Sequence, residues 1–272
     1  MEISVSLWSY VQLISSKEYS VEDIIRHIHS CGVKYVEVLD CFLPTQEKRE
    51  SVKKVIDELG MKVSSYSIGN NFVCDETTRL QEIKKVQEAC EYAHFFNTKT
   101  IRVFCGNLVE GYDFDKAFSL IVDSFKECVK TAEKEDIYYC LENHGLLAGK
   151  STQVLAILNA VNSKHLKATT DTGNFLLVGE DSKEAVKNLK GKVGLVHFKD
   201  FKKVSKEEAK YVGLDGNCTV GTIIGTGDVN MKAVVDQLAK DGFDGCLSIE
   251  YEGDNSLKAI EESVKNAFSY IQ

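Results

Sequence analysis

The runs IYYCLENHG (137–145), LKATTDTGN (166–174), GLVHFKD (194–200) and CLSIEYEG (246–253) decide the fold. Each is a short, largely apolar stretch that closes on a polar cluster, and helical patterns separate them, the alternation expected of strand–helix repeats. Working outward, the same unit recurs toward the N-terminus. Strands are expected at Ile3–Trp8, Tyr35–Leu39, Lys62–Ser67, Thr100–Phe104, Tyr138–Glu142, Lys167–Asp171, Leu195–Lys199 and Cys246–Glu250. Val21, Ile24, Ile25 and Ile28 recur at helical spacing, and Ala117, Phe118, Ile121, Val122, Phe125, Cys128, Val129 and Ala132 make a longer apolar face. Ser20 and Asp115 stand where N-caps are expected. Strand–helix alternation implies parallel strands joined by right-handed crossovers. Strands buried on both faces account for runs such as ISVSLW (3–8). The expected fold is therefore α/β, a single (β/α)8 barrel spanning residues 1–272 as one domain. An open doubly wound sheet is the alternative, and it usually carries a glycine-rich fingerprint after the first strand; SLWSYVQL (6–13) carries none.

The composition agrees with a sizeable core: of 272 residues, 43% are hydrophobic and 27% charged. The net charge of −8 disfavours nucleic acid and anionic membrane surfaces as partners, since both are bound through Lys and Arg. MEISVSLWSY (1–10) lacks the basic and apolar regions of a signal peptide, and no apolar run is long enough for a membrane span. The nine cysteines include no C-x-x-C pair and are expected to be buried free thiols in a reducing cytoplasm. The longest connection, Asp200–Val229, is either a lid or substrate wall at the site or a solvated insertion. GTIIGTGD (221–228) lacks the Lys-Ser/Thr of a phosphate loop and is expected to be a turn leading into a helix near Met231.

Candidate chemistry lies at the strand ends. Glu142, Asp171 and Glu250 close three of the four opening runs and His197 sits in the fourth. In a parallel barrel these ends open onto one mouth, where active sites are built. Three carboxylates and one imidazole suit one divalent ion, with Mn²⁺ the first choice and Mg²⁺, Co²⁺ or Zn²⁺ compatible. Three carboxylates brought together without a cation would repel one another.

On the segments LENHG (141–145), TDTGN (170–174), VHFKD (196–200), IGTGDVN (224–230) and SIEYEG (248–253), nearly the whole chain resembles the xylose isomerase-like TIM-barrel superfamily, in particular its sugar phosphate isomerase/epimerase branch. The resemblance implies a metal held by Glu142, Asp171, His197 and Glu250, with Glu142 and Glu250 also acting as acid and base. Where many sugar epimerases of this branch place a substrate-contacting histidine, three residues after the metal aspartate, this chain has Asn174, which is expected to contact substrate in its place. The second metal set of true xylose isomerases is absent. The histidine-rich trinuclear site of endonuclease IV is not expected either, because His27, His29 and His94 fall in helical stretches.

The residues support the same chemistry without the family. A metal bridging a carbonyl and the adjacent hydroxyl acidifies the C–H bond between them, and a carboxylate on either side could take or return the proton. His144 and Lys199, each two residues beyond a ligand, are expected to contact substrate; the alternatives are an orienting role for His144 and a surface salt bridge for Lys199. Trp8 and Tyr10 could pack against a sugar face, with core packing the alternative for Trp8. Arg102 needs a partner if it points inward, and Asn70 and Asn71 read as turn residues. The expected function is a metal-dependent isomerase or epimerase of a sugar or sugar phosphate. A keto-inositol-type dehydratase and a non-catalytic carbohydrate-binding barrel are the alternatives. The expected partner is a small sugar or polyol, and a homo-oligomer is compatible with the sequence.

Overall fold

Eight of the strands pair in parallel because each is largely buried on both faces and is followed by a helix that returns the chain to the same end of the sheet. In the computed structural model, which describes residues 1–254 and 257–271, these are β1 (Glu2–Ser6), β2 (Tyr35–Leu39), β3 (Lys62–Ser67), β4 (Thr100–Val103), β5 (Tyr138–Glu142), β6 (Leu166–Asp171), β7 (Val193–Phe198) and β11 (Cys246–Ile249). Neighbours in sequence are neighbours in the sheet, and β11 pairs with both β7 and β1, which closes the barrel. The expected (β/α)8 TIM barrel is the observed one.

The helices α1 (Val11–Ser15), α2 (Val21–Ser30), α3 (Gln46–Glu58), α4 (Glu76–Phe95), α5 (Phe114–Glu135), α6 (Ser151–Val161), α7 (Asn174–Leu177), α8 (Ser182–Asn188), α9 (Met231–Lys240) and α10 (Leu257–Ile271) follow the strands. In α2 the face Val21, Ile24, Ile25 and Ile28 is buried, as its spacing requires. Such side chains contribute about 1.5–3 kcal/mol each on burial. Its start is fixed by a reciprocal cap: Ser20 Oγ accepts from Asp23 N at 3.1 Å, and Ser20 N donates to Asp23 Oδ2 at 3.0 Å. The cap of α5 is Asp113, whose Oδ1 accepts from Lys116 N at 3.0 Å. Asp115, expected in that role, lies inside the first turn, where its carboxylate still favours the helix N-terminus.

Further expectations shift. The first strand ends at Ser6, because Leu7–Tyr10 tighten into a 3-10 turn with Ser6 Oγ accepting from Trp8 N. Phe104, Lys199 and Glu250 lie one residue past their strands, and β7 begins two residues earlier than expected. The connection after β7 is not irregular. β8 (Asp200–Lys203), β9 (Tyr211–Val212) and β10 (Cys218–Thr222) form a small antiparallel sheet in the order β8-β10-β9. GTIIGTGD spans the end of β10 and the turn toward α9. All nine cysteines are free, but only Cys90, Cys105, Cys128 and Cys140 are buried, and Cys41 is exposed. No helix among the described residues is long and apolar enough to cross a membrane.

Register places the site. Asp171 is paired with His197 across β6 and β7, and His197 with Ser248 across β7 and β11. The polar residues of three neighbouring strands thus meet at one level near the C-terminal mouth.

Candidate metal centre

Each side chain of the cluster is aimed by a local device. Asn143, just past β5, bridges to β6: its Oδ1 accepts from Asp171 N at 2.7 Å and its Nδ2 donates to Asp171 O at 3.1 Å. Asp171 Oδ1 accepts from the amides of Gly173 and Asn174, both at 2.9 Å, at the turn that begins α7, and this leaves Oδ2 facing the cluster. Thr172 ties β6 to the end of β7, donating to Lys199 O at 2.6 Å and accepting from Lys199 N at 2.9 Å. The TDTGN segment therefore spends its polar atoms on fixing Asp171 and Lys199.

Glu142, Asp171, His197 and Glu250 each offer a donor atom, and these atoms lie within 4.8 Å of one another, all buried. His197 Nδ1 is 3.2 Å from Glu142 Oε2, 3.4 Å from Glu250 Oε2 and 3.8 Å from Asp171 Oδ2. Glu142 Oε2, Asp171 Oδ2 and His197 Nδ1 are buried without a well-directed hydrogen bond. On its other side, His197 Nε2 donates to Glu37 Oε1 at 3.0 Å. A carboxylate can only accept, so Nε2 carries a proton, and Nδ1, which faces the other carboxylates, is the nitrogen that would give up its proton to an ion.

Two permanent cations enter the cluster. Arg102 Nε lies 3.3 Å from Glu142 Oε2, while its guanidinium donates to Ile68 O at 2.8 Å and sits 4.0 Å over the Phe104 ring. Lys199 Nζ is 2.6 Å from Glu250 Oε2, 2.9 Å from Asp171 Oδ2 and 3.3 Å from Glu252 Oε1. Glu37, Glu142, Asp171, Glu250 and Glu252 outnumber these cations, and burying unbalanced charge costs several kcal/mol per ion. The protonation pattern reflects the crowding. Burial pushes Asp171 up to about 7, with Glu142 and Glu250 adding to the rise and Lys199 opposing it. Burial also acts to raise Glu142, but His197 and Arg102 overcome it and bring its carboxyl down to about 2. Burial disfavours the Lys199 ammonium, yet Asp171, Glu250 and Glu252 hold its pKa well above the usual lysine range. The donor set, the convergence of lone pairs and the surplus of negative charge all fit a divalent cation.

The other expected residues fall as follows. Asn174 is buried, and its Nδ2 donates to Glu142 Oε1 at 3.3 Å, so it orients a cluster carboxylate. Lys199 is not in a surface salt bridge but inside the cluster. His144 has left the strand and lies against the Phe104 ring, centroids 4.1 Å apart; burial lowers its pKa, favouring neutral imidazole. Trp8 sits on the turn after β1, donates from Nε1 to Glu252 Oε1 at 3.1 Å, and lines a cleft of about 880 Å³ with Val11, Phe42 and Pro44. The lining of this cleft comes from the segments that follow β1 and β2 and includes none of Glu142, Asp171, His197 and Glu250. Tyr10 belongs to the core, edge-on to His27 of α2, so the sugar-facing option is wrong for it. His29 is also in α2 and His94 in α4. Asn70 pins the end of β4 through the Phe104 backbone, and Asn71 makes the expected turn with Val73 N at 2.9 Å.

Sequence reading missed Glu37 and Glu252. Glu37 carried a signal, a lone charge between Val36 and Val38 in a strand expected to be buried on both faces.

A family model described as "Xylose isomerase-like TIM barrel" matches residues 25–271. An inosose dehydratase from Clostridium perfringens (strain 13 / Type A) is 30% identical over 94% of this chain and 90% of its own. Among solved structures, the IOLI protein with a bound zinc atom superposes with a TM-score of 0.79 at 17% identity, covering 100% of this chain and 96% of that one. D-psicose 3-epimerase with D-tagatose, from Clostridium cellulolyticum H10, superposes with a TM-score of 0.78 at 16% identity, covering 100% and 99%. These last two similarities concern the fold.

Proposed function

The chain belongs to the xylose isomerase-like TIM-barrel family, and from that premise we propose that it is a divalent-metal-dependent enzyme that removes a proton next to a carbonyl of a sugar or related polyol. The observation that carries this reading is the convergence of three carboxylate oxygens on the Nδ1 face of His197. A divalent ion held by Glu142, Asp171, His197 and Glu250 would polarise the carbonyl and its neighbouring hydroxyl. Glu142 and Glu250 come from the ends of non-adjacent strands, β5 and β11, and one would take the proton and the other return it. Asp171, held by two backbone amides, serves as a ligand only. The Lys199 ammonium is placed to donate to oxygen as negative charge develops there. Proton return to carbon gives isomerisation or epimerisation. The IOLI protein's zinc and the epimerase's D-tagatose are consistent with such chemistry in this fold.

A second reading, dehydration of a keto-inositol, is favoured by the similarity to inosose dehydratases and by Lys199, which could protonate a departing β-hydroxyl. Both readings take a small polyol as partner, and nine free thiols support a cytoplasmic setting.

The test is proton–deuterium exchange with Mn²⁺ into a panel of ketoses, sugar phosphates and keto-inositols, followed by product identification. General acid–base catalysis contributes about 10²–10⁴-fold. Glu250→Gln or Glu142→Gln should therefore slow exchange on that scale at matched metal content. Exchange at the wild-type rate in both variants sinks the mechanism; water loss in place of epimerisation selects the second reading.

A further inference from the structure

A fully buried carboxylate, Glu37 on β2, stands behind the centre and is not one of its donors. Three donors converge on it from three other strands. Oε1 accepts from His197 Nε2 of β7 at 3.0 Å and from Ser67 Oγ of β3 at 2.5 Å, and Oε2 accepts from Ser248 Oγ of β11 at 2.5 Å. Ser67 is in turn 3.2 Å from Ser65 Oγ, which accepts from Arg102 N at 3.1 Å. The β2–β3 register shifts between Val36 and Glu37, an irregularity of the kind that re-aims a side chain. The carboxylate is thus held between strands with its lone pairs in use.

Stability alone does not account for a charge here. An apolar side chain of similar volume at a buried position is often neutral or stabilising relative to a buried ion pair. His197 is the one partner of Glu37 that also faces the donor cluster. Nε2 and Nδ1 lie on different sides of the imidazole, so Glu37 cannot share the ion that Nδ1 faces.

We propose that Glu37 is a positioning residue of the metal centre: it fixes the orientation and tautomer of His197 so that Nδ1 faces Glu142, Asp171 and Glu250, and thereby sets how tightly a divalent cation is held. This inference rests on the metal-dependent reading given above. Partners of this kind orient the imidazole and increase its basicity, and their loss costs about 10–100-fold in metal affinity.

The experiment titrates chelator-stripped full-length protein with Mn²⁺ and with Zn²⁺ by calorimetry, comparing wild type, Glu37→Gln and Glu37→Asp. Glu37→Gln keeps the volume and one acceptor for Nε2–H but removes the charge, and binding should weaken by about 10–100-fold while the near-UV circular dichroism is unchanged. Glu37→Asp retracts the carboxylate and should also weaken binding. Nitrogen-15 spectra of histidine-labelled, zinc-loaded wild type should place the His197 proton on Nε2. If Glu37→Gln does not fold, the pair Ser67→Ala and Ser248→Ala removes two donors to Glu37 and should weaken Zn²⁺ binding several-fold. Unchanged affinity in the folded variants, or a proton on Nδ1 in the zinc form, overturns the proposal and leaves the metal reading intact. Failure of wild type to bind either ion overturns both.

Discussion

Lys199 shows how one residue can serve two charges in turn. Its ammonium contacts Asp171 Oδ2 and Glu250 Oε2, two of the oxygens that also face the cation position. An ion and this ammonium therefore compete for the same lone pairs, and Glu252, tied to Trp8, offers the ammonium a third contact. Lys199→Met keeps most of the bulk and removes the charge. Turnover is expected to fall by roughly 10²–10³-fold, within the range of general acid catalysis, while Mn²⁺ affinity holds or rises. Wild-type turnover in this variant would reduce the ammonium to a counter-ion. Lys199, Glu142, Asp171 and Glu250 were legible because a polar residue closing an apolar run on a parallel strand can only point into the mouth or cap the next helix. Glu37 was harder to find because it lies mid-strand, in YVEVL, where no turn marks it. Arg102 was read as needing a partner, but that partner, Glu142, is 40 residues away in sequence and becomes visible only when β4 and β5 pair.

The insertion after β7 is the element whose character the sequence concealed. Its strands, DFKK, YV and CTVGT, are two to five residues long, too short for a period of two to stand out from a loop. The barrel strands were readable because each is a short β-rich run set between helical patterns, and their ends slipped by a residue or two where a 3-10 turn or a neighbouring strand takes over the hydrogen bonds. Asp200 organises the insertion. Its carboxylate accepts from Gly225 N and Gly227 N, both at 2.9 Å, and from Val229 N at 3.2 Å, so the far end of the connection is tied to its beginning. Farther out, Leu214 N donates to Leu177 O at 2.7 Å and Tyr211 packs on Phe201. These ties favour a wall that stays in place at its base over a lid that swings as a unit. Asp200→Ala leaves three amides without their acceptor, and unmet donors cost about 1–3 kcal/mol each when buried; partial access of water brings the expected loss to about 2–4 kcal/mol. Urea denaturation reads that loss, and hydrogen exchange should speed up at Gly225, Gly227 and Val229 but not in β5–β7. Equal protection in variant and wild type would show that the turn is held by something else.

At the scale of the whole molecule, the barrel gathers several buried carboxylates around His197, and the ion proposed to balance them should be readable as stability. Without an ion, Asp171 is driven up to about 7 by burial, chiefly, and by Glu142 and Glu250. A carboxyl whose folded value lies above its unfolded one stabilises the fold while protonated and loses that contribution as pH rises through the folded value. Ion-free protein should therefore lose stability on this account between about pH 4 and 7. His197, held well above its ordinary value by the same carboxylates against the cost of burial, acts in the same direction. Glu142 and Glu250 act oppositely, being held low by His197 and by Arg102 or Lys199 against burial, but their contribution is lost only as pH falls below the ordinary carboxylate range. A divalent ion reverses the Asp171 and His197 penalties by taking the lone pairs that protons would otherwise occupy, and binding should release protons. At a free Mn²⁺ concentration of about 100 times Kd, linkage gives about 2.7 kcal/mol, which for a chain of this size corresponds to a rise in Tm on the order of 5–10 °C. The gap in Tm between Mn²⁺-loaded and chelated protein should be small at pH 5 and widen toward pH 8. Calorimetry in two buffers of different ionisation enthalpy should count the protons released at pH 6 and find fewer at pH 8. A gap independent of pH, with no proton release, would mean that the ion binds away from Asp171 and His197, and the centre described here would not be the one that holds it.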